Sequence, residues 1–266
     1  MRRLLVLLLL GVLATGCGRS TKHASPTEGP STTRAATTET GITDTRPATT
    51  ETQPAQPIAL RVYFLRGGMV APVARTVPTT QAVAGAALRA LVAGPTEAGL
   101  TSAIPTGTPA PSVTIDGGVA TVDFPGGLSH AAVAQIVYTL TQFPSVKAVR
   151  PARSLDGKEL TRADFEDVTP SILVESPLPG ARVTSPLRVR GTANTFEATF
   201  VLEIRNASNR TFSRETVTAT SGSGTRGTFD ATISFTAKGA ISLVAYEPSA
   251  ENGKPLHTVR IPLVAG

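Results

Sequence analysis

The alternation of apolar and polar residues predicts where the folded part of this chain begins. Residues 58–65 place Leu60, Val62 and Phe64 on one face, which is the spacing of a half-buried strand. A pair of glycines follows, and after it a second, weaker strand is expected, which Pro72 interrupts. The first element of the fold is therefore expected to be a β-hairpin.

Two stretches with the 3.6-residue spacing of helices come next. The first is expected to begin at a cap formed by Thr79 or Thr80 and to end at the Gly-Pro pair at 94–95. The second is expected to begin at Ser129, whose side chain suits an N-cap, and to end before Pro144. Apolar residues recur along one face of each stretch, so both helices should pack against a sheet.

Another hairpin lies between the two helices in the sequence, because alternating residues at 112–116 and 119–124 flank a Gly-Gly turn. A last short strand is expected at 146–149. The predicted order is β-β-α-β-β-α-β, an α+β domain with its helices on one face of a sheet. We place this domain at residues 58–168.

After Pro170 the pattern changes to short alternating segments separated by Gly, Pro and Asn, without a helical period. Seven strands are expected, at residues 172–175, 187–191, 199–205, 211–218, 227–235, 240–247 and 257–264. This spacing is typical of an immunoglobulin-like β-sandwich. The chain has one cysteine and no tryptophan, so an antibody-type domain with its disulfide is excluded. We place this all-β domain at residues 169–266.

The first 17 residues have the layout of a bacterial lipoprotein signal. Arg2 and Arg3 precede an apolar stretch, residues 4–12, that is too short to span a bilayer. Small residues then lead to Cys17, in a pattern that resembles a lipobox, where the thiol receives lipid chains of the palmitate type. The alternative is an ordinary secretory signal that happens to contain a cysteine. We expect a signal peptide at 1–16 and an extracytoplasmic protein anchored to the cell membrane through Cys17.

Residues 17–57 are expected to form a disordered stalk. Between Gly18 and Pro57 the sequence holds twelve threonines and five prolines, and Ile42 is the one large aliphatic residue. Such a segment cannot bury enough apolar surface to offset the entropy of ordering it. The stalk would hold the folded domains away from the membrane.

The charge of the chain argues against nucleic acid as a partner. The formal net charge is +6, but there is no run of Lys and Arg and no interleaving of basic with aromatic residues. Weak attraction to anionic lipids or cell-wall polymers stays compatible with this balance.

Several short segments occur in a recognisable order along both predicted domains. In the first domain they are residues 62–65 (VYFL), 87–95 (ALRALVAGP), 100–107 (LTSAIPTG), 119–124 (VATVDF) and 135–143 (QIVYTLTQF). In the second they are residues 176–180 (SPLPG), 184–187 (TSPL), 227–229 (GTF) and 246–250 (YEPSA). The first set resembles the GerMN domain of sporulation and germination lipoproteins, and the second resembles Gmad2, the immunoglobulin-like domain that accompanies it. The resemblance implies a module that builds protein assemblies at the spore envelope, and it supplies no catalytic residue.

The sequence contains no arrangement typical of catalysis or metal binding. The three histidines, His23, His130 and His257, have no second histidine or carboxylate at metal-ligand spacing. Ser129 beside His130 is expected to be a helix cap rather than a nucleophile. No glycine pair belongs to a phosphate-binding motif, so we expect no cofactor and no enzyme activity.

Two carboxylate groupings need a structural test. Asp164, Glu166 and Asp167 are expected to form a solvated charge cluster at the domain boundary. Glu247 and Glu251 could ligate calcium together with Asn252, although no DxD-type array supports this. Eight residues are otherwise candidates for a role beyond folding, and we expect most to be structural. They are Arg75, Asp123, Gln135, Tyr138, Phe196, Glu197, Tyr246 and Glu247.

The favoured hypothesis is a non-catalytic envelope lipoprotein whose domains bind or scaffold other envelope proteins, linked to sporulation, germination or envelope assembly. An exposed sheet edge or helix face could provide the contact. The alternative is a module that binds peptidoglycan or another cell-wall glycan. A hydrolase is the third hypothesis, and it requires a cleft with converging polar groups.

Overall fold

The computed structural model describes residues 56–124, 126–153 and 157–266. The predicted signal peptide, Cys17 and all but the last two residues of the predicted stalk lie outside this part of the chain. The described residues form an α+β domain followed by an all-β immunoglobulin-like sandwich, as the sequence predicted. The boundaries assigned to the domains, 58–168 and 169–266, stay predictions. No helix in the described ranges is long and apolar enough to cross a membrane.

The first domain has the predicted element order. Its elements are β1 Ile58–Arg66, β2 Met69–Val77, α1 Val83–Val92, β3 Ser112–Asp116, β4 Val119–Asp123, α2 His130–Leu140 and β5 Ala148–Pro151. The strands form two separate ladders rather than the expected single sheet: β1 pairs with β2, and β4 lies between β3 and β5. The reason lies at the outer edge of β1, where Leu65 forms an antiparallel bridge with Thr101 and side chains of α2 occupy the remaining edge.

One helix cap was predicted correctly and one was not. The hydroxyl of Ser129 accepts a hydrogen bond from the N–H of Ala132 at 3.3 Å, which confirms it as the N-cap of α2. At α1 the prediction that Thr79 or Thr80 caps the helix was wrong. Ala82 occupies the N-cap position without a side-chain bond. The hydroxyl of Thr80 instead accepts from the N–H of Ala82 at 3.1 Å, a local turn that ends before the helix begins.

The core of the first domain extends into the second. Its largest fully buried side chains are Tyr63, Phe64, Leu88, Leu91, Ile136, Tyr138 and Leu140. Burying a side chain of this size stabilises the fold by roughly 1.5–3 kcal/mol. Leu173, from the first strand of the second domain, is 2% exposed and belongs to the same cluster. The two domains therefore share apolar contact.

The second domain is a sandwich of a five-stranded and a three-stranded sheet. Its strands are β6 Ile172–Ser176, β7 Arg182–Val183, β8 Leu187–Ala193, β9 Thr199–Asn206, β10 Thr211–Thr218, β11 Gly227–Ile233, β12 Gly239–Pro248 and β13 Pro255–Ala265. The sheet orders are β10-β9-β12-β13-β7 and β11-β8-β6. The seven predicted strands are all present. The two-residue strand β7 was missed, because two residues give no alternation to detect.

Gly191 explains the close approach of β8 to β6. A Cβ atom at this position would lie 2.0 Å from the carbonyl oxygen of Leu173, well inside any real contact. A larger residue would therefore push β6 away from the sheet. Because Leu173 of β6 also contacts the first domain, this glycine helps to position the junction described next.

Candidate functional site: a groove between the two domains

Three polar side chains, two from α2 and one from the turn just after it, cover the outer edge of β1. The amide of Gln135 donates to the carbonyl oxygen of Tyr63 at 3.1 Å, and the hydroxyl of Thr139 accepts from the N–H of Tyr63 at 3.1 Å. Gln142 makes the equivalent pair of contacts with the backbone of Arg61. The three positions are spaced i, i+4 and i+7, which brings them to one side of the helix. These side chains take the place of a neighbouring strand.

The same contacts fix the direction of the backbone groups of β2. In an antiparallel pair, a residue whose N–H and C=O point away from the partner strand lies opposite a residue that does the same. Tyr63 pairs with Pro72 and Leu65 pairs with Val70. Both β1 residues are hydrogen-bonded on the side away from β2. The N–H and C=O of Val70 and the C=O of Pro72 therefore point outward, where none of the described strands pairs with β2.

The sandwich presents two similar edges. Successive residues of a strand direct their backbone N–H and C=O groups to alternate edges. Just before β6, the carbonyl of Ser171 accepts a bond of 2.7 Å from the N–H of Asn194, which follows β8, so Ser171 faces β8. The backbone groups of Ile172 and Val174 therefore point to the opposite, open side. In β13 the carbonyl of Pro262 accepts a bond of 2.8 Å on the side away from β12. By the same alternation the backbone N–H and C=O of Arg260 point away from β12, at a position that the short pairing with β7 does not reach.

These three edges border one groove. A cavity of about 560 Å³ lies between β2, β6 and β13. Its aliphatic walls include Val70, Pro72, Leu100, Ile172, Val174 and Ile261. Two arginines, Arg66 and Arg260, and two acids, Glu166 and Asp167, also line it, so the groove carries charges of both signs. Apolar walls combined with outward-pointing main-chain groups match the requirements of an extended peptide that pairs as an additional strand. We call this cavity the interdomain groove.

A buried ion pair holds the two domains on one side of the groove. A guanidinium nitrogen of Arg162 lies 2.8 Å from a carboxylate oxygen of Glu175, and the two side chains are 23% and 14% exposed. The hydroxyl of Tyr63 donates to the same carboxylate. The Arg162 guanidinium also lies 4.7 Å from the centre of the Tyr138 ring, a cation–π distance. Residues from β1, α2 and β6 thus surround the positive charge of Arg162.

The electrostatics of this cluster favour the ionised pair. Burial alone would raise the pKa of the Glu175 carboxyl, but the charge of Arg162 and the hydrogen bond from Tyr63 outweigh it and hold that pKa below its ordinary value. Burial, followed by the neighbouring Glu175 charge, raises the pKa of the Tyr63 phenol. Tyr63 therefore stays a neutral hydrogen-bond donor at physiological pH.

A second ion pair joins the domains through the predicted acidic cluster. The carboxylate of Glu166 receives two bonds from Arg226, at 2.8 and 2.9 Å, and one from the amide of Asn194 at 2.8 Å. Asp164 and Asp167 are engaged by other groups: the first bonds the Thr161 N–H at 2.8 Å, and the second approaches His130.

The expectation of a solvated acidic cluster therefore holds for Asp167, whose side chain is 67% exposed, but was wrong for Glu166, which is bonded by the second domain. These acids lie in a 3₁₀ helix, Arg162–Val168, rather than in an extended linker. The helix directs each carboxylate towards a different partner, and the partners of Glu166 come from the second domain. Sequence spacing alone could not show this, because Arg226 is 60 residues away.

The four candidate residues of the first domain have structural contacts. Gln135 covers the edge of β1, and the hydroxyl of Tyr138 lies 2.6 Å from that of Thr169 at the domain junction. Arg75 makes two bonds to Glu97, at 2.6 and 2.9 Å, and this hydrogen bonding lowers the pKa of Glu97 to about 2. Asp123 forms an exposed ion pair with Arg153.

The four candidates of the second domain lie at one end of the five-stranded sheet or on its outer face. Phe196 is 60% exposed, and its N–H donates to Glu247 at 2.8 Å. Glu197 has a left-handed backbone conformation, with φ of 54°. Tyr246 is buried, and its hydroxyl donates to the buried carboxylate of Glu203 at 2.9 Å. None of these four is among the residues that line the interdomain groove.

His23 lies outside the described residues, but the other two histidines have carboxylate neighbours in three dimensions. His130 lies 2.9 Å from Asp167, and His257 lies 3.9 Å from Glu247. The side chain of Asn252, considered for calcium, accepts from the Lys254 N–H at 3.0 Å. Within the described residues no group of three or more His, Cys, Asp or Glu side chains is placed to hold a metal ion.

Comparison with known proteins bears on both domains. Residues 61–161 match the family model for sporulation and spore germination, named Germane. Residues 171–254 match the model for the immunoglobulin-like domain of bacterial spore germination, named Gmad2. The chain is therefore similar to the Germane family over its first domain and to the Gmad2 family over its second. Both types are associated with sporulation or germination, and neither description names a catalytic activity.

One solved structure among the matches is described as the tandem GerMN domains of the sporulation protein GerM from Bacillus subtilis. It shares 17% sequence identity with this chain, at a TM-score of 0.36. The match covers 67% of this chain and 62% of that chain, so it extends over less than two thirds of the GerM structure. The comparison with curated proteins gives no match.

Sequence reasoning missed the residues that build the junction and the groove. Arg162, Glu175 and Arg226 come from distant parts of the chain, and no local pattern marks them as partners. One signal was available for the covered edge. Gln135 and Thr139 stand at core-facing positions of an otherwise apolar helix, and buried polar side chains normally have a definite hydrogen-bond partner.

Proposed function

We propose that this chain is a non-catalytic, membrane-anchored envelope protein that binds an extended segment of a partner protein in the interdomain groove. The observation that carries the proposal is the convergence of three open strand edges on one apolar cavity. Main-chain hydrogen bonds to an added strand would supply affinity, and the aliphatic walls would select its side chains. The Germane and Gmad2 matches support a partner from a sporulation or germination assembly.

The two interdomain ion pairs support a scaffolding role. An interdomain groove binds reproducibly only if the domains keep their relative position, since rigidity reduces the entropy lost on binding. Arg162 with Glu175 and Arg226 with Glu166 tie the first domain to β6 and to the loop before β11. The buried contact of Leu173 adds an apolar component to the same junction.

A matched pair of variants tests the groove. Thr258 is exposed and lines the cavity, whereas Thr232 is exposed on β11 and does not line it. The full chain carrying either Thr258→Trp or Thr232→Trp is immobilised and exposed to solubilised envelope proteins from the source organism. Thr258→Trp should abolish capture of a defined partner, and Thr232→Trp should retain it. Equal capture by both variants would exclude the groove as the binding site.

Hydrogen exchange then distinguishes strand addition from other modes of binding. When a captured partner binds, the amide protons of Val70, Ile172, Val174 and Arg260 should become protected, because their N–H groups point into the groove. Binding without protection at these four positions would show that the partner uses another surface.

The anchor is part of the same proposal. Cys17 would be the lipidation site, which would place both domains outside the cytoplasm at the end of the 17–57 stalk. Cells expressing the full chain are labelled with a fatty-acid analogue of the palmitate type. The wild type should carry label in the membrane fraction, and Cys17→Ser should carry none. Label retained by Cys17→Ser would contradict anchoring through this residue.

A further inference from the structure

The outer face of the five-stranded sheet carries an ordered set of arginines. In the strand registers, Arg214 lies opposite Glu203, Glu203 opposite Val244, and Val244 opposite Arg260. These four residues form one row across β10, β9, β12 and β13. Strands lie about 4.8 Å apart, so the Cα atoms of Arg214 and Arg260 are roughly 14 Å apart. Arg205 lies two residues beyond Glu203 on the same face. We call Arg205, Arg214 and Arg260 the arginine face.

Buried groups hold these arginines in position. Glu203 is 4% exposed, although it lies on the outer side of the sheet, and its carboxylate accepts from Arg205 at 2.6 Å and from Tyr246 at 2.9 Å. The side-chain oxygen of Asn209, in the turn between β9 and β10, accepts from Arg205 at 3.2 Å and from Arg260 at 2.8 Å. Two guanidinium groups are therefore held at the same oxygen atom. The entropy of ordering these side chains is lost on folding, so it is not lost again when a ligand binds.

The arginine face has more charge than its internal contacts neutralise. Of its three guanidinium groups, those of Arg205 and Arg214 share the single carboxylate of Glu203. Arg214 reaches that carboxylate only at 3.9 Å, and its side chain is 59% exposed. Arg260 bonds to a neutral amide oxygen. The donors left over point to solvent and suit phosphate oxygens, which accept the forked geometry of guanidinium.

The surroundings select among anionic partners. A single-stranded nucleic acid would need several exposed aromatic rings for its bases, but the ring of Tyr246 is 4% exposed, and Phe212 on β10, at 42%, offers one ring. Membrane association would need several apolar side chains that insert, but Val201 and Val244 of this face are 3% and 1% exposed. A row of separated cations above a buried floor instead fits a linear polyanion that lies across the strands.

We propose that the arginine face binds a linear, phosphate-bearing polymer of the cell wall. This surface meets the interdomain groove at Arg260, but Arg205 and Arg214 do not line the groove. The proposal relies on the proposed function only for the extracytoplasmic location that makes a wall polymer accessible. Binding of inorganic polyphosphate tests the surface itself, independently of that location and of any protein partner.

The test uses the full chain and measures binding of polyphosphate at several salt concentrations. Removing two phosphate contacts with the double variant Arg214→Gln, Arg260→Gln should weaken binding about tenfold or more, and should reduce the slope of log K against log salt by about two. The matched control is Arg188→Gln, Arg190→Gln, which changes the net charge equally at exposed positions of the other sheet. The control should retain both affinity and slope.

Three further arms decide the nature of the partner. Purified cell wall should bind the wild type, and wall stripped of its phosphate polymers should not. Vesicles of phosphatidylglycerol with phosphatidylcholine, and single-stranded DNA, should bind more weakly than polyphosphate at equal phosphate concentration. Stronger binding to either, equal losses in the two double variants, or no binding of polyphosphate would overturn the proposal. Unchanged thermal unfolding of both variants verifies that any loss is not caused by misfolding.

Discussion

The two outer edges of the β1–β2 hairpin differ, because one is covered by other parts of the domain and the other is open. The edge of β1 is closed by Gln135 and Thr139 of α2, by Gln142 just after that helix, and by the bridge to Thr101. The edge of β2 has no strand partner among the described residues and lies against the interdomain groove. The same hairpin thus has one edge covered by the fold and one edge left open towards the groove.

The difference shows how a strand edge can stay exposed without pairing with every available strand. An open strand edge is a template for unwanted pairing. On β2 the residue at the middle of the open edge is Pro72, which lacks an N–H, so one donor is missing where a neighbouring strand would bond. Its apolar ring lines the groove instead. A suitable partner strand must therefore tolerate an unmatched acceptor at that point.

The largest effect is expected where the covered side of the hairpin is joined to the second domain. Arg162→Met leaves the largely buried carboxylate of Glu175 without its main counter-charge, so the free energy of unfolding should fall by about 3–5 kcal/mol. Arg188→Met is the control, because its partner Asp230 and Arg188 itself are 46% and 65% exposed, and it should leave the free energy of unfolding nearly unchanged. Urea unfolding measures both. Similar losses would mean that the junction contributes no more than a surface pair.

The closed edge itself can be opened by one substitution. Gln135→Leu removes the amide that bonds the carbonyl of Tyr63 and the N–H of Ala103, leaving two buried backbone groups unsatisfied. Each such group costs about 1–3 kcal/mol, so the expected loss of stability is about 2–5 kcal/mol. Gln81→Leu makes the same change at an exposed position and should be close to neutral. If Gln135→Leu were equally neutral, the edge of β1 would not depend on α2.

The contrast between the two edges could be predicted from the sequence only in part. Alternation located β1 and both sheets of the sandwich, and Ser129 identified the start of α2, because these signals are local. Pro72 was expected to interrupt β2, yet the strand runs unbroken from Met69 to Val77. Proline fits there because its nitrogen faces the open side, and the sequence does not reveal which side of a strand stays open.

The interdomain groove and the ion pairs that join the two domains could not be predicted from local sequence patterns, for a different reason. The acid Glu166 was noted as part of a cluster, but its partner Arg226 is brought close only by the packing of two domains. Glu175 looked like the last residue of an ordinary strand, and nothing in the chain near it specifies Arg162 or Tyr63 as neighbours. Cavities between domains arise from such tertiary packing, and periodicity carries no information about them.

The open edge can be altered without disturbing the core. Pro72→Ala restores an N–H that points into the groove, which should increase pairing between copies of the chain. The free energy of unfolding should fall by only about 0.4–1 kcal/mol, because the main effect on stability is greater freedom of the unfolded chain. Sedimentation velocity measures the self-association, with Pro255→Ala, at the exposed start of β13, as the control. A variant that stays as monomeric as the control would show that the missing donor does not protect this edge.

The smallest effect is expected in acid, at the ion pair that joins β2 to the loop after α1. Arg75 lowers the pKa of Glu97 from 4.5 to about 2 by its hydrogen bonds, so this carboxylate is more acidic in the folded than in the unfolded chain. The stabilisation is complete above the unfolded pKa and is lost as pH falls through about 2. Because Glu97 is 37% exposed, solvent screening limits it to less than about 1 kcal/mol. Thermal unfolding from about pH 6 to pH 2 should show the wild type losing its advantage over Glu97→Gln, and a constant difference would mean that the pair does not stabilise the β2 side of the hairpin.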